Sequence, residues 1–579
     1  MNALWLLALL GATDGGTPPA AGTVRTTVLI AGNVAGVELV SGGGAGPLSV
    51  HYEYNDRGRG PSLDERIWVG PAGVPTRIEV TGVDYLKAKV EERFERTGDT
   101  ARWKNRAEQG EAKAPAAAFY LGVNGSPEEG RLLANALLRA PGRKLPLLPS
   151  GEASIEKVRE LTITAGGKPV PVALYAISGL SFSPAPIWLS ADGALAASVS
   201  TWNSLVPEGW APSMPEMLRA QEQWMVERSA TLARTLAHRA PALAVVHANL
   251  FDAERARSVP GTTVVVTGHT VTAVGKDGSV PIPKDAEVID AAGQALLPGL
   301  WDMHVHVQAT DGLLHVAAGV TSVRDLANDA DELARAVKRF EEGTEIGPRV
   351  LVAGFIDGRG PYQGPTKVFA DTEAEAKAAV EDYVRRGDVQ IKVYSSLKPE
   401  LVPVIARLAH ERGLRLSGHV PMGLTAEQFV LAGADELQHM NFLFLNFLPR
   451  TIDTRTPARF TEVAAHGAEI DPSQPRVKAF IKVLQQHHTV VDPTVNFLEG
   501  MLTDRPGTMS LTYAAVADRM PVQVRRGFLY GGLEVPPGMD QRYRDSFQAM
   551  LKMTRALHDA GVTLVAGTDS LAGFSLHRE

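Results

Sequence analysis

The chain has 579 residues, 44% hydrophobic and 21% charged, a make-up that fits a multi-domain globular protein and excludes a mostly disordered, fibrous or polytopic membrane one. Lys+Arg 58 against Asp+Glu 65 gives a net charge of -7, so no overall cationic field is present to neutralise phosphates, and nucleic acid is not expected as a partner. With Cys 0, disulfides, thiolate nucleophiles and Cys-ligated zinc are excluded, which leaves imidazole, carboxylate and lysine for chemistry.

The first apolar run, Ala3 to Ala12 (ALWLLALLGA), is too short to span a bilayer and is followed by small and turn-forming residues. It reads as a cleaved export signal within residues 1–23, placing the mature chain in the periplasm or outside the cell. If the run is not a signal, the location is cytoplasmic.

From 24 to 240, short alternating or β-branched runs (Thr27 to Ile30, Thr76 to Val83, Ala118 to Val123, Val170 to Ile177) are separated by Gly/Pro/Asn turns. A helix is expected within Asp84 to Glu95 and another over Pro127 to Arg139, so this region reads as a β-rich α+β domain whose role the sequence does not declare. Helical spacing of Met217, Leu218, Trp224, Met225, Leu232 and Leu236 predicts a linking helix within Pro212 to Ala240. Short strands at Ala242 to Leu250, Thr262 to Thr267 and Val271 to Val274 then predict a small β-sheet segment over 241–299.

After residue 300, eight short apolar runs alternate with amphipathic segments: Leu300 to Val307, Thr321 to Asp325, Arg349 to Phe355, Val389 to Tyr394, Leu414 to Val420, Glu436 to Met440, Thr489 to Thr494 and Thr563 to Thr568. Helices are expected between them, as at Ala330 to Glu342, Glu373 to Arg386 and Pro399 to Arg412. The pattern predicts an α/β fold, a (β/α)8 TIM-like barrel over 300–579. The stretch Gly500 to Gly538 reads as a helical insertion, or else as a lid over the barrel mouth.

In the first run, His304 and His306 stand two apart on a strand, so both imidazoles point the same way at the C-terminal mouth, as a metal clamp requires. Lys392 lies on the fourth run, His419 ends the fifth, His439 ends the sixth and Asp569 ends the eighth. Each alone reads equally as a packed, surface or capping residue. Together they put metal-ligating chemistry at the mouth of one barrel. Tyr394 shares the inward face with Lys392 and is a candidate substrate contact, as are Arg359 and Tyr362 on the Gly/Pro-rich loop Asp357 to Thr366. Asn124-Gly125-Ser126 matches a glycosylation acceptor, a tripeptide common by chance.

Over about 242–579 the chain resembles the amidohydrolase superfamily, specifically its imidazolonepropionase-like and prolidase-like metal-dependent hydrolases. The motifs are VIDAAGQALLPGLWDMHVH at Val288 to His306, GVTSVRD at Gly319 to Asp325, QIKVY at Gln390 to Tyr394, SGHVP at Ser417 to Pro421, DELQHM at Asp435 to Met440 and AGTDS at Ala566 to Ser570. The resemblance implies that His304, His306 and Asp569 hold one divalent ion and His419 and His439 a second, with zinc the expected metal. It implies that Lys392, carboxylated by CO2, bridges them. A carbamate turns a cation into a bridging anion, and burial favours the neutral amine that forms it.

The activity implied is hydrolysis of an amide C–N bond, in a dipeptide or a cyclic amide, with Asp569 as the proton acceptor and donor. Lactone or ester hydrolysis on the same site and a catalytically silent binding protein are the alternatives. Arg324 and Asp325 look like a structural pair. The expected partner is a small amide or peptide, no transmembrane span is expected, and a homo-oligomer is left open. Glu579 lies ten residues past Asp569, so the barrel is expected to be incomplete at its C-terminus.

Overall fold

The computed structural model describes residues 22–44, 46–308 and 311–569. The Ala3 to Ala12 run and Ser570 of the AGTDS motif lie outside the described residues. No helix among the described residues is long and apolar enough to cross a membrane. The chain divides into two compact units, one made of residues up to Met217 together with Met520–Tyr530, the other of Leu218–Arg519 and the residues from Gly531 on.

The first unit holds a nine-stranded antiparallel sheet in the order Asn203–Pro207, Val24–Ile30, Asn33–Gly42, Leu48–Tyr54, Ser62–Val69, Pro75–Val83, Lys89–Thr97, Thr100–Lys104 and Gln109–Lys113. A six-stranded sheet, running from Leu195–Ala197 to Phe119–Tyr120, accompanies it. The helix Pro127–Arg139 forms where the sequence places it, with Pro at its start and Leu133, Ala136 and Leu137 buried in the common core. The expected helix within Asp84 to Glu95 is not formed: a turn leads into the strand Lys89–Thr97, whose Val90, Glu92 and Phe94 face inward.

Glu92 is one of three buried sheet carboxylates that meet the chain entering the helix. Glu38 accepts the Glu128 N–H at 3.0 Å, Glu65 the Ser126 N–H at 3.0 Å, and Glu92 the Val123 and Asn124 N–H groups at 3.1 Å each. They supply the acceptors that N–H groups at a helix start lack. The Asn124-Gly125-Ser126 tripeptide is folded into this turn with the Asn124 amide nitrogen buried. Met520–Tyr530 is fixed within the same unit by Arg526, whose guanidinium pairs with Glu108 at 2.6 Å and donates to the Leu121 carbonyl at 2.7 Å. The segment read as an insertion or a lid therefore contributes a piece of the first unit.

The second unit opens with most of the helix Met214–Leu236, followed by a small sheet built on Ala242–Asp252, Arg257–Thr267, Thr270–Lys276, Ala286–Asp290 and Ala295–Leu296. Its larger sheet has seven parallel strands in sequence order: Leu300–Val305, Val320–Asp325, Arg349–Ile356, Gln390–Val393, Arg415–Gly418, Glu436–Gln438 and Val490–Asp492. The eighth run makes an isolated bridge, Val491 with Leu564. It still links the two edges: Val491 N–H donates to the Thr563 carbonyl at 2.9 Å, and Met303 N–H to the Ala566 carbonyl at 2.8 Å. The result is a nearly closed parallel barrel within a mixed α/β unit.

Barrel helices start and stop on local chemistry. Thr372 caps Glu373–Arg386 by accepting the Glu375 N–H, and Gly387 ends it at φ 85°. Asp329 caps Ala330–Glu341 through the Asp331 and Glu332 N–H groups. All four residues of Gln390–Val393 are buried, as expected for a strand covered on both faces.

Candidate metal centre

The ends of five strand segments bring together the six residues singled out from sequence. His304 closes the first strand and is fully buried; His306, two residues on, lies beside Asp569 at the end of the eighth run, with Nε2 3.0 Å from Oδ1. One ligand atom from each of His304, His306 and Asp569 falls within 4.8 Å of the others. Lys392 is fully buried, its Nζ 3.0 Å from His304 Nε2. His419 and His439 approach each other with their Nε2 atoms 3.0 Å apart. His304 and His439 link the two groups, their ring centroids 4.8 Å apart.

The second ring nitrogen of each histidine decides what these contacts mean. His304 Nδ1 lies 2.6 Å from Asp492 Oδ2, and His306 Nδ1 donates to the Ala327 carbonyl at 2.8 Å, an oxygen that only accepts. His419 Nδ1 lies 3.2 Å from the Ser395 hydroxyl and His439 Nδ1 2.9 Å from the Thr494 hydroxyl, and a hydroxyl oxygen can accept. With Nδ1–H donating, the Nε2 of a neutral ring presents a lone pair. A shared cation would be held where the Nε2 atoms of His419 and His439 face each other and where His306 Nε2 meets the Asp569 carboxylate, so this donor set fits divalent metal.

Protonation states agree. Burial, then the Lys392 charge and the neighbouring imidazoles, hold His304 far below the usual histidine range, and burial pushes His439 down to about 3. Burial also lowers Lys392 toward the neutral amine. For Asp569 burial acts upward, but the His306 hydrogen bond and the surrounding basic groups outweigh it and keep the carboxylate ionised. His304 and His439 are thus held as neutral imidazoles near an ionised carboxylate, the forms that ligate.

No family model matches the chain. It is similar to the ochratoxinase of Aspergillus niger, 24% identical over 34% of this chain and 54% of that protein. The chain therefore spans about half the length of the curated relatives it matches. Among solved structures it is similar to a putative prolidase from Bifidobacterium longum, with TM-score 0.41, 18% identity, and coverage of 58% of this chain and 75% of that one. It is also similar to the bottromycin amidohydrolase, with TM-score 0.43, 20% identity, and coverage of 60% and 72%.

In the barrel the three proposed substrate residues are placed differently. Tyr394 stacks on His419 with ring centroids 3.8 Å apart and meets Phe355 edge-on at 4.9 Å. Arg359 is exposed and pairs with Asp371 at 2.7 Å and Glu375 at 2.9 Å. Tyr362 lies under the Arg455 guanidinium, 5.0 Å from its ring centroid. Of the three, Tyr394 is the one set against a cluster histidine. The Gly/Pro-rich loop is pinned by the buried Asp357, which accepts the Gly364 N–H at 2.6 Å and the Ser396 N–H at 2.9 Å. A Cβ at Gly364 would come within 2.9 Å of the Tyr394 ring, so the loop packs on that ring.

Sequence reading missed the groups that support the ligands: Asp492, Thr494, Ser395 and Asp302. Asp302 is fully buried and accepts both the Thr568 N–H at 3.0 Å and its hydroxyl at 2.6 Å, fixing the turn that delivers Asp569. His439, Thr494 and Asp569 all have positive φ (66°, 44° and 52°), strained backbone of the kind that gathers at functional sites. Arg324 and Asp325, both buried, make separate contacts. Arg324 reaches Glu436 with bonds of 2.7 and 2.6 Å, while Asp325 accepts the Val307 N–H at 2.7 Å. Side chains alternate along the strand, so neighbours point to opposite sides.

Proposed function

We propose that the chain is a metal-dependent hydrolase that cleaves an amide C–N bond in a small amide or peptide. His304, His306 and Asp569 would hold one divalent ion, His419 and His439 the other, and Lys392, as a carbamate, would join them. The carrying observation is the convergence of ligand atoms: His419 Nε2 against His439 Nε2 and His306 Nε2 against Asp569 Oδ1, each at 3.0 Å. Zinc suits four imidazoles with carboxylate ligands, and Mn, Co or Fe are also tolerated. A bound metal pair supplies Lewis-acid polarisation of the scissile carbonyl and lowers the pKa of water.

The chain's own residues supply the rest. Asp569, ionised and held on its strained turn by Asp302 and Thr568, accepts the proton of the attacking water at a carboxylate oxygen and returns it to the leaving nitrogen. Burial shifts Lys392 toward the neutral amine, the form that takes up CO2. Tyr394 and Phe442 flank His419, with Phe442 at 5.0 Å, and keep that imidazole oriented in apolar surroundings.

The test is a panel of dipeptides, N-acyl amino acids, cyclic amides and lactones incubated with the metal-supplemented protein and read by mass spectrometry. Release of an amine from at least one amide, abolished in Asp569→Asn, is the expected result. Turnover of lactones alone would move the assignment to ester chemistry. Amide turnover unchanged in Asp569→Asn would contradict it.

A further inference from the structure

The last residue of the seventh strand and the two that follow, Asp492-Pro493-Thr494, touch both histidine groups. Asp492 Oδ2 lies 2.6 Å from His304 Nδ1, and the Thr494 hydroxyl lies 2.9 Å from His439 Nδ1. The backbone adds two bonds: His439 N–H donates to the Asp492 carbonyl at 2.8 Å, and Met440 N–H to the Pro493 carbonyl at 3.0 Å. The His439 backbone, at φ 66°, is therefore held by the same three residues that hold its ring. Asp492 is fully exposed to none of the solvent and Thr494 is 1% exposed, so water does not compete for either contact.

Packing leaves this turn little freedom. A Cβ at Gly567 would come within 2.5 Å of His304 Cβ and 2.6 Å of Asp492 Oδ1, so the absence of a side chain at 567 lets Asp492 reach the imidazole. Pro493 has no N–H and a fixed φ, and Thr494 at φ 44° turns its hydroxyl back toward His439. A side-chain partner on Nδ1 sets both which nitrogen carries the proton and where the ring points.

We infer that Asp492 and Thr494 are positioning residues, one for each proposed metal position, and that this single turn sets the Nε2-ligating tautomer of His304 and His439 together. The inference rests on the metal-centre reading for its consequence and on these hydrogen bonds for the rings they hold. Neither residue is a ligand. Each acts through the imidazole it holds.

The experiment compares the full chain with Asp492→Ala, Thr494→Val, Asp492→Asn and Thr494→Ser, after circular dichroism has established folding. Zinc affinity is measured by competition with a chromophoric chelator, and ring tautomers by 15N spectra of histidine-labelled, metal-free protein. Thr494→Val is expected to weaken one zinc equivalent by about 10–100-fold and leave the other, with Asp492→Ala weakening the complementary one. Thr494→Ser and Asp492→Asn, which keep an acceptor, should return to within a few-fold of wild type. In metal-free protein, His439 should lose its Nδ1–H tautomer in Thr494→Val and His304 in Asp492→Ala.

Wild-type zinc affinity and tautomers retained in the folded Val and Ala variants would overturn the inference. If the wild type takes up no zinc, the metal-centre reading fails, and the tautomer spectra still decide the positioning role. If either strong variant does not fold, a wild-type tautomer pattern kept in Thr494→Ser and Asp492→Asn supports the role, and an altered pattern in both would overturn it.

Discussion

Glu436→Ala should be among the most damaging single changes in the barrel. Arg324 and Glu436 face each other across its interior with side-chain exposures of 5% and 1%, joined by two hydrogen bonds of 2.7 and 2.6 Å. Arg324 also donates to the Met303 carbonyl at 2.8 Å, one residue before His304, and to Gln390 Oε1 at 3.1 Å. Removing Glu436 strands a guanidinium in a dry site, a loss of roughly 3–5 kcal/mol for a broken buried pair. At about 2 °C per kcal/mol for a unit of this size, the barrel transition should fall by at least about 6 °C in differential scanning calorimetry. The two units need not melt together, so the barrel transition must be resolved from that of the first unit. The double variant Arg324→Leu with Glu436→Leu removes both charges and should be less destabilised than Glu436→Ala. A drop below about 2 °C in the single variant, or a double variant as unstable as both single changes summed, would refute the reasoning.

Three further outcomes are expected. Burial, with Glu128 and Glu65 nearby, pushes the Glu38 carboxyl up to about 8, above its ordinary 4.5, so folding takes up a proton there. Stability from this group is complete below pH 4.5 and is lost as pH rises to about 8; Glu38→Gln should flatten the pH dependence of the first unit's melting over that window. Arg526→Ala removes the partner of Glu108 and should free Met520–Tyr530 within the first unit, seen as new tryptic cleavage at Arg525 in limited proteolysis. Gly567→Ala forces a methyl between His304 and Asp492, an overpacking cost of about 1–3 kcal/mol, and should lower bound metal as well as the melting temperature.

That these six residues would gather was legible because strand period and motif spacing act on residue types with few other uses at those positions. His304 and His306 two apart, and single His, Lys or Asp residues ending successive apolar runs, converge once the barrel closes. Asp492 and Thr494 carried no such signal: an Asp and a Thr around a proline read as an ordinary strand end. Their importance comes from a neighbour far along the chain, His304 for one and His439 for the other. The helix expected within Asp84 to Glu95 failed for a related reason. Leu86, Val90 and Phe94 recur every four residues, but the buried alternation is Val90, Glu92, Phe94, and a carboxylate committed to the Val123 and Asn124 N–H groups looks polar in sequence. Arg324 was noticed beside Asp325, while its partner lay on the sixth strand, a pairing that only barrel closure creates.

The central claim is a metal pair joined at Lys392, and metal content tests it most directly. Protein purified without chelators, supplied with zinc and bicarbonate, is analysed by elemental mass spectrometry beside Lys392→Ala. The account predicts close to two zinc ions per chain in the wild type and a clear fall in the variant. Close to zero in the wild type, or two in Lys392→Ala, would contradict it.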